Sequence, residues 1–438
     1  MRKTRILRRS GLVLALFALL LNGCEVVQDP KSLLSVPKLP EEQANLASIV
    51  YSHLPEGGII VRPTNSTDGS KIRIADLNND GRAEAIVFYE TPDRDVRLHG
   101  MILESNENNW NVAAEFDGEG VVLDRVDIVD VTGDNTLDII VGYGSPDTSS
   151  NKGMVIYTFE NNQLKKIFEQ PYSYYVIDDL NGDLIHELYM VSYRKSKSPV
   201  LSQFQYIDNK MTKAAEKQFD TEIVGVSNLL SGHLSKDQRG IVIDAILEPA
   251  QYVTMAFSLS TDGQFDEVFP KELTVKNIMY LSEDVNSDGI IEIAIPESPQ
   301  GWEYYEEYET PYFTNYYQWD GNQGVILVQR QYRDHLERFH FTIPLSWYGR
   351  VSIDTRSRMD EYLRFYDVQS NDTLAEIRFF SVDTWDRYKE KWTYLAAYAD
   401  EVIGIYSKED LNINDGYTKL PDVETEEPSD SKVSTNNK

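Results

Sequence analysis

An intramolecular disulfide is excluded in this chain, because its 438 residues include a single cysteine, Cys24. The folded parts must therefore be stable without that crosslink. Positive charge is also scarce, since 42 lysines and arginines stand against 71 aspartates and glutamates, for a formal net charge of −29. A charge of this sign argues against nucleic acid and anionic lipid headgroups as direct partners, which are negatively charged themselves.

Motifs for catalysis are missing as well. The chain contains no G-x-S-x-G, no H-E-x-x-H, no Walker loop and no dinucleotide-binding glycine fingerprint. None of its six histidines lies at zinc-ligand spacing. Carboxylate pairs suited to glycoside hydrolysis stay open as an alternative, although 71 acidic residues make chance pairs abundant.

The chain does contain an acidic motif of nine residues that occurs four times. Each copy has oxygen-bearing side chains at positions 1, 3, 5 and 9, and position 6 is Gly, or Asn in the second copy and Leu184 in the third. The copies, named loops 1 to 4, are Asp76–Glu84, Asp130–Asp138, Asp179–Glu187 and Asp284–Glu292. Gly and Asn tolerate the left-handed backbone of a tight turn. Apolar and β-branched residues follow each copy, which predicts that the loops connect β-strands.

Each loop is predicted to bind Ca²⁺. Hard cations take several oxygen ligands, and alternate residues of a looped backbone can converge on one ion. Position 7 would contribute its backbone carbonyl. The predicted ligands are Asp76, Asn78, Asp80, Arg82 and Glu84; Asp130, Thr132, Asp134, Thr136 and Asp138; Asp179, Asn181, Asp183, Ile185 and Glu187; and Asp284, Asn286, Asp288, Ile290 and Glu292. The alternative is a set of Asx turns, whose aspartates bond only their own backbone.

The loops recur at a regular spacing. Asp76 and Asp130 lie 54 positions apart, Asp130 and Asp179 lie 49 apart, and Asp179 and Asp284 lie 105 apart. The last interval is about twice the others, so a degenerate copy is expected near residue 230. Ser231–Gly240 has the loop shape there but lacks the repeated acids. A period of roughly 50 residues of short strands is typical of a β-propeller or a similar β-array.

The four loops resemble the calcium-binding loops of FG-GAP and VCBS repeats, which occur in integrin α-chain propellers and in many bacterial surface proteins. The resemblance covers roughly residues 55 to 330. The order of features is also similar to lipoproteins of Firmicutes that join such repeats to a small C-terminal module. The resemblance implies a β-propeller, bound Ca²⁺ and a surface location, and it implies no particular activity.

The loops are expected to differ in affinity. Loops 1 and 4 should bind best, because each combines two aspartates, an asparagine and a glutamate with a turn glycine. In loop 2, Thr132 offers a weaker dipole and Asp138 has a shorter reach than glutamate. In loop 3, Leu184 must adopt a conformation that bulky residues resist. The turn near His233 is expected to bind no ion.

Residues 1–23 are predicted to be a lipoprotein signal peptide. A basic start precedes the apolar run Gly11–Leu21, which is too short for a comfortable membrane span. Leu21-Asn22-Gly23-Cys24 then matches a lipobox, with asparagine as an atypical residue. Acyl chains on Cys24 would hold the mature protein on the extracytoplasmic face of the cell membrane. An ordinary secretory signal is the alternative.

The predicted fold class is mainly β, a propeller-like array followed by a small α+β domain. Glu41–His53 could form a short helix, and a second helix is expected from Asp383 to Trp392. The predicted parts are residues 1–23, the signal peptide; 24–50, the anchor and linker; 51–330, the FG-GAP/VCBS-like β-propeller; 331–415, the α+β C-terminal domain; and 416–438, a disordered acidic tail.

Two functions remain open at this point. The first is a non-enzymatic, calcium-binding scaffold that displays loops to an envelope protein or glycan. The second is an extracytoplasmic hydrolase acting on cell-wall polysaccharide. The stretch Glu303–Asp320, dense in tyrosines and acids, could serve either as a recognition surface or as a hairpin packed on the neighbouring repeat.

Overall fold

The computed structural model describes residues 41–409 and residue 411, except 66–69, 92–94, 107–108, 146–147, 194–197 and 249–250. The predicted signal peptide, Cys24 with its lipobox, and the predicted acidic tail lie outside the described residues. In the described part of the chain, no helix is long and apolar enough to cross a membrane.

Strands dominate the fold. They account for 54% of the structure against 6% for helix, which confirms the prediction of a mainly β protein. Within the described residues the strands form six antiparallel sheets. Each sheet uses strands that follow one another along the chain, because strands joined by short turns pair with their neighbours.

The first three sheets occupy residues 59–218. Sheet 1 contains β1 (Ile59–Val61), β2 (Ile72–Ala75), β3 (Glu84–Glu90), β4 (Leu98–Asn106) and β5 (Asn109–Asp117). Sheet 2 contains β6 (Val122–Val129), β7 (Asp138–Ser145), β8 (Thr148–Glu160) and β9 (Gln163–Tyr172). Sheet 3 contains β10 (Tyr174–Asp178), β11 (Glu187–Ser192), β12 (Val200–Ile207) and β13 (Lys210–Gln218).

The last three sheets occupy residues 223–407. Sheet 4 contains β14 (Ile223–His233), β15 (Arg239–Leu247), β16 (Gln251–Leu259) and β17 (Phe265–Glu267). Sheet 5 contains β18 (Ile293–Glu297), β19 (Phe313–Trp319), β20 (Val325–Arg333) and β21 (His340–Thr342). Sheet 6 contains β22 (Val351–Ile353), β23 (Tyr362–Asp367), β24 (Thr373–Ser381), β25 (Thr393–Tyr398) and β26 (Glu401–Ser407).

The strands lie in each sheet in chain order, with two exceptions. β1 and β2 pair with successive parts of β3, and β26 lies between β24 and β25. Loops 1 to 3 are tight connections between neighbouring strands of sheets 1, 2 and 3, and loop 4 directly precedes β18.

The sheets stack face to face, and each successive pair shares a hydrophobic core. Sheets 1 and 2 pack through residues such as Phe88 and Val141, and sheets 3 and 4 through residues such as Tyr189 and Ile243. The second strand of a sheet is consequently covered on both faces, and all residues of β3 from 84 to 89 are buried. Burial on both faces explains why the residues after each acidic loop are continuously apolar rather than alternating.

The helix predicted for Glu41–His53 is present with those bounds as α1. Its Leu46 and Val50 pack with Val87 and Met101 of sheet 1. These two sheet residues point away from sheet 2, because successive side chains of a strand face opposite sides. α1 thus covers the face of sheet 1 that sheet 2 leaves free.

The C-terminal segment differs from the expected α+β domain. β20 runs through the predicted boundary between residues 330 and 331. Sheets 5 and 6 share one core that includes Phe313, Trp347 and Phe365. The last sheet is therefore a continuation of the stack, with five strands.

The helix expected from Asp383 to Trp392 is shorter than predicted. α2 covers Val382–Trp385, and Ser381 rather than Asp383 stands at its N-cap. The ring of Trp385, at the end of α2, and the rings of Tyr388 and Trp392, in the turns that follow, pack around Phe380. This aromatic packing outweighs the local helix propensity of the segment.

The tyrosine-rich stretch Glu303–Asp320 divides into two parts. Its second half is β19, where Phe313 and Tyr316 are buried, as expected if the aromatic residues pack against a neighbouring sheet. Its first half contains a short 3₁₀ helix, and Tyr304 and Tyr308 remain 98% and 77% exposed. The stretch is thus a hairpin strand in its second half alone.

Candidate metal-binding loops

Loops 1, 2 and 3 each join two paired strands, β2 to β3, β6 to β7 and β10 to β11, and loop 4 leads from Glu283, which forms an isolated bridge with Glu292, into β18. In all four, the residue before position 1 pairs across the sheet with position 9. The pairs are Ala75 with Glu84, Val129 with Asp138, Asp178 with Glu187, and Glu283 with Glu292. The shared register gives the four loops the same length and brings position 9 back beside the start of the loop.

The loops also share an internal hydrogen-bond pattern. In loop 4, the Gly289 N–H donates to Asp284 Oδ2 at 2.9 Å, and the Ile290 N–H donates to Asp288 Oδ1 at 2.9 Å. The Asp288 N–H donates to Asn286 Oδ1, also at 2.9 Å. Loops 1 and 3 repeat all three bonds, and loop 2 repeats the first two. These bonds fold each carboxylate at positions 1 and 5 toward the centre of its loop.

Position 6 adopts the left-handed conformation in every loop, as expected, although Leu184 of loop 3 is a bulky residue that resists it. The φ angles are +85° at Gly81, +66° at Asn135, +71° at Leu184 and +84° at Gly289. Position 4 is left-handed as well, which the sequence analysis missed. The residues there are Asn79, Gly133, Gly182 and Ser287. Their small or amide side chains were the available signal.

The position-9 carboxylates are buried in all four loops. The exposed fractions are 0% for Glu84, Asp138 and Glu292, and 2% for Glu187. Burial raises the pKa of Asp138 and of Glu292 to about 7, and the neighbouring loop aspartates add to the shift. Burial also raises the pKa of Glu84 and of Glu187. These four carboxylates therefore carry an electrostatic cost that a cation in the loop would offset.

One oxygen of the position-9 carboxylate accepts a backbone hydrogen bond in three of the loops. Leu77 donates to Glu84 Oε2 at 2.7 Å, and Val131 donates to Asp138 Oδ2 at 2.9 Å. Among the described residues, the second oxygens, Glu84 Oε1 and Asp138 Oδ1, have no hydrogen-bond partner although they are buried. An unpaired buried carboxylate oxygen is costly in a protein, so these residues fit a metal ligand set.

Loop 4 brings its three acids closest together. Asp284, Asp288 and Glu292 each present one oxygen, and these oxygens lie within 4.8 Å of one another. Three carboxylate oxygens around one point repel each other and suit a hard cation. The arrangement itself does not distinguish Ca²⁺ from other hard cations.

The loops lie along one edge of the stack. Leu137 of loop 2 donates its N–H to the Leu77 carbonyl of loop 1 at 2.9 Å. Ile185 of loop 3 lies against Gly133 of loop 2, where an added Cβ would be 3.0 Å from Ile185 Cδ1. Ile291 of loop 4 donates its N–H to the carbonyl of His233, in the degenerate copy, at 2.9 Å. The stack therefore presents all the acidic loops on a common side.

The degenerate copy in sheet 4 carries an arginine where the other loops carry a buried acid. Its turn is three residues shorter, since His233 pairs with Arg239. Arg239 thus occupies the place of position 9. Its guanidinium donates from Nη2 to both oxygens of Asp178, at the base of loop 3, at 2.6 and 2.7 Å. In this turn a side chain supplies the positive charge.

The connection between β22 and β23 of sheet 6 also pairs an aspartate with arginines, but it lies beside Gly301 and Arg338, at the ends of β18 and β20 that point away from loop 4. Asp354 directly follows β22 and accepts hydrogen bonds from Arg356 and Arg364. The two guanidiniums, Arg356 first, hold the pKa of the Asp354 carboxyl well below its usual range.

No protein-family model and no curated protein matches the chain. Among solved structures, rhamnogalacturonan lyase from Bacillus licheniformis aligns with 80% of this chain and 75% of its own, at 10% identity and a TM-score of 0.34. A hypothetical selenium-binding protein from Sulfolobus tokodaii aligns with 42% of this chain at 9% identity and a TM-score of 0.28. This chain spans about half of that protein, 51% of its length. Similarities of this size carry no conclusion about activity.

Proposed function

We propose that loops 1 to 4 are Ca²⁺ sites in a lipid-anchored, extracytoplasmic β-propeller protein that acts as a scaffold for an envelope protein or glycan. The observation that carries the metal assignment is the pair of buried, unpartnered oxygens Glu84 Oε1 and Asp138 Oδ1. A cation bound in each of these two loops gives the unpartnered oxygen a ligand contact and screens the repulsion between the loop aspartates around it.

Ca²⁺ suits these loops better than Mg²⁺. Each loop offers carboxylates, an amide or hydroxyl oxygen, and a backbone carbonyl on a flexible turn, and Ca²⁺ accepts six to eight such ligands in irregular geometry. Mg²⁺ demands a smaller octahedral shell and retains its waters. Extracellular calcium modules typically have dissociation constants of about 10⁻⁴ to 10⁻³ M, which suits a protein outside the cytoplasm.

The propeller assignment is supported by the order of the sheets. Six antiparallel sheets follow one another, with a shared core between each pair. The outermost strands β5, β9, β13 and β17 contact each other in succession. A succession of antiparallel sheets of four or five strands, packed face to face, fits the blades of a propeller. α1 covers the free face of the first sheet, so the stack is capped there by a helix.

The scaffold role rests on the acidic loops gathered on one side and on the absence of recognisable catalytic motifs in the sequence. In the proposed arrangement, Ca²⁺ rigidifies these loops and thereby holds a recognition surface in shape. Crosslinking in intact cells, followed by isolation of the protein, would identify the partner. Recovery of nucleic acid as the main crosslinked species would contradict the proposal.

The anchor is tested at Cys24. Replacement by Cys24→Ala is expected to abolish acylation and to move the protein from the detergent phase to the aqueous phase. Incorporation of labelled palmitate into the wild type, absent from the variant, is the second readout. Equal partitioning of both proteins into the aqueous phase would show that the signal is an ordinary secretory one.

The metal assignment is tested by thermal unfolding. Millimolar Ca²⁺ is expected to raise the Tm and a chelator to lower it, because clustered carboxylates repel without a cation. Mg²⁺ should substitute poorly. Asp80→Ala combined with Asp288→Ala should reduce the Ca²⁺ response, because it removes a ligand from loop 1 and from loop 4.

The matched control is Asp266→Ala with Glu390→Ala, which removes two exposed acids outside the loops. The control should keep the full Ca²⁺ response, although it loses the same net charge. An identical Tm in chelator and in Ca²⁺ for the wild type would leave the Asx-turn interpretation in place.

A further inference from the structure

Position 9 of each acidic loop has a neighbouring residue on the next strand of its sheet, β4, β8, β12 or β19, which is called the third strand from here on. In sheet 1, Glu84 is directly paired with Glu104. In sheet 2, Ile139 pairs with Tyr157, which places Thr158 beside Asp138. In sheets 3 and 5 the same neighbours are Gln205 and Gln318, as the pairs Leu188 with Phe204 and Ile293 with Tyr317 require.

Gln318 and Gln205 each donate hydrogen bonds to the buried position-9 carboxylate of their own loop. Gln318 Nε2 donates to Glu292 Oε1 at 2.7 Å and to Asp288 Oδ2 at 2.8 Å. Gln205 Nε2 donates to Glu187 Oε1 at 3.0 Å. An amide carries two N–H donors, so one side chain can hold two carboxylate oxygens at once. In loops 3 and 4, a neutral amide thus donates to a position-9 carboxylate oxygen that would otherwise need a cation as its partner.

Loop 3 has two more donors to the same carboxylate. Asn181 Nδ2 donates to Glu187 Oε1 at 2.7 Å, and the Tyr189 hydroxyl donates to Glu187 Oε2 at 2.9 Å. Both oxygens of Glu187 are therefore satisfied from within the protein.

Loops 1 and 2 have no such donor on the third strand. Glu104 is a carboxylate, which when ionised can only accept hydrogen bonds, and its charge raises the pKa of Glu84 in addition to the effect of burial. Thr158 is buried, but Asp138 Oδ1 beside it remains without a partner among the described residues. Among the described residues, the two position-9 oxygens without a hydrogen-bond partner belong to loops 1 and 2, the loops that lack a glutamine neighbour.

We infer that the third-strand residue beside position 9 decides whether a loop depends on its cation for stability. Loops 1 and 2 depend on the bound ion, whereas Gln205 and Gln318 keep loops 3 and 4 folded when the ion leaves. The inference rests on the proposed Ca²⁺ sites and deepens them. It assigns the calcium response of the fold mainly to sheets 1 and 2, and it leaves loops 3 and 4 free to exchange ions without unfolding.

The test uses the full chain and compares the Tm in chelator with the Tm in millimolar Ca²⁺. Gln318→Leu removes the amide donors of loop 4, so it should lower the Tm in chelator and enlarge the Ca²⁺-induced rise. The control is Gln329→Leu on the next strand of the same sheet, a partly buried glutamine outside the loop. The control should leave the Ca²⁺-induced rise unchanged.

The converse variant is Glu104→Gln, which installs in loop 1 the donor that loops 3 and 4 possess. It should raise the Tm in chelator and reduce the Ca²⁺-induced rise. Glu104→Leu removes the same charge without providing a donor, so its rise should stay larger than that of Glu104→Gln. Comparing these two variants separates the effect of the added hydrogen bond on the Tm from the effect of removing charge repulsion.

Calorimetric titration of the wild type with Ca²⁺ distinguishes a failure of the proposed Ca²⁺ sites from a failure of the inference about the third-strand residue. If the wild type binds no Ca²⁺, the proposed function is wrong. If it binds Ca²⁺ while Gln318→Leu and Glu104→Gln both show the wild-type rise in Tm, the metal sites stand and the role of the third-strand residue is overturned.

Discussion

At the scale of single residues, backbone sterics determine how well a residue type suits position 6 of each loop. Burial determines the electrostatic environment of the carboxylate at position 9. The left-handed conformation costs an L-residue with a side chain roughly 1 to 2 kcal/mol. Leu184 accepts this cost with a φ of +71° while its side chain is 89% exposed. Exposure means that the side chain contributes little packing in return.

Replacing Leu184 is therefore expected to stabilise the protein. Leu184→Gly should raise the free energy of unfolding by about 1 kcal/mol, because glycine adopts a positive φ without strain. Denaturant unfolding measured in chelator would detect the change without interference from bound ions.

Leu345→Gly is the matched control, since Leu345 is 78% exposed and lies outside the left-handed region. It should bring no stabilisation. A loss of stability in Leu184→Gly as large as in the control would mean that the leucine contributes contacts outweighing its strain.

At the scale of elements, the four acidic loops, the degenerate turn of sheet 4 and the β22–β23 connection balance their charge in two ways. Four carry acids suited to a cation. In the other two, arginines neutralise an aspartate: Arg239 pairs with Asp178, and Arg356 and Arg364 pair with Asp354. An arginine is always charged and cannot be removed by a chelator, so these two connections do not need an ion.

Loss of Arg239 should therefore destabilise the fold in a way that Ca²⁺ does not reverse. Arg239→Met leaves the Asp178 carboxylate, which is only 13% exposed in its side chain, without its main partner. The expected loss is about 1 to 3 kcal/mol, the cost of an unsatisfied buried group. Chemical denaturation with and without Ca²⁺ would measure it.

Arg356→Met serves as the comparison, because Arg356 is 83% exposed and Asp354 keeps Arg364. Its effect should be clearly smaller. Equal losses in the two variants would show that the Arg239 pair is no better than a surface ion pair.

The helix α1 is the second element whose role can be tested. Leu46 is 2% exposed and packs on the free face of sheet 1, so Leu46→Ala should cost about 2 to 5 kcal/mol through lost burial and the remaining cavity. Tyr51→Ala on the same helix removes a side chain that is 61% exposed, and it should have a small effect. Similar Tm values for the two variants would mean that α1 does not cover the sheet in solution.

At the scale of the whole molecule, the stability of each sheet depends on the sheets packed against it. Each core lies between two successive sheets, so a sheet at the end of the stack protects the face of its neighbour. Sheets 5 and 6 illustrate this coupling, since Tyr332 of β20 is fully buried against Phe365 of sheet 6.

A chain ending at residue 330 is expected to be destabilised throughout sheet 5. The cut falls within β20 and removes Tyr332, Phe341 and Trp347 from a shared core. Phe313 and Trp302 would be exposed, so the truncated chain should bind a hydrophobic dye and unfold at a lower temperature than a chain ending at residue 409. Cooperative unfolding at the same temperature for both would show that sheet 6 folds as an independent domain.

Local chemistry accounts for the features that the amino-acid sequence determines by itself. The mainly β class, the repeat spacing, the strand–loop–strand placement of the acids and the bounds of α1 follow from short-range patterns of polarity, turn residues and capping. The left-handed conformation at position 6 likewise depends on the place of one residue in the turn, and Gly, Asn and Leu all adopt it there. These features involve contacts between residues close in the chain, which a linear pattern records directly.

Only the tertiary structure decides the features that depend on residues far apart. The unpartnered oxygens of Glu84 and Asp138, and the pairing of Gln318 with Glu292, arise because a third strand returns beside the loop some 20 to 26 residues later. Arg239 of sheet 4 donates to Asp178 of the neighbouring sheet 3. The C-terminal segment joins the stack rather than forming its own domain, because its apolar residues complete a core begun in sheet 5. Burial and charge pairing are properties of the packed molecule, and they determine which acidic loops need an ion.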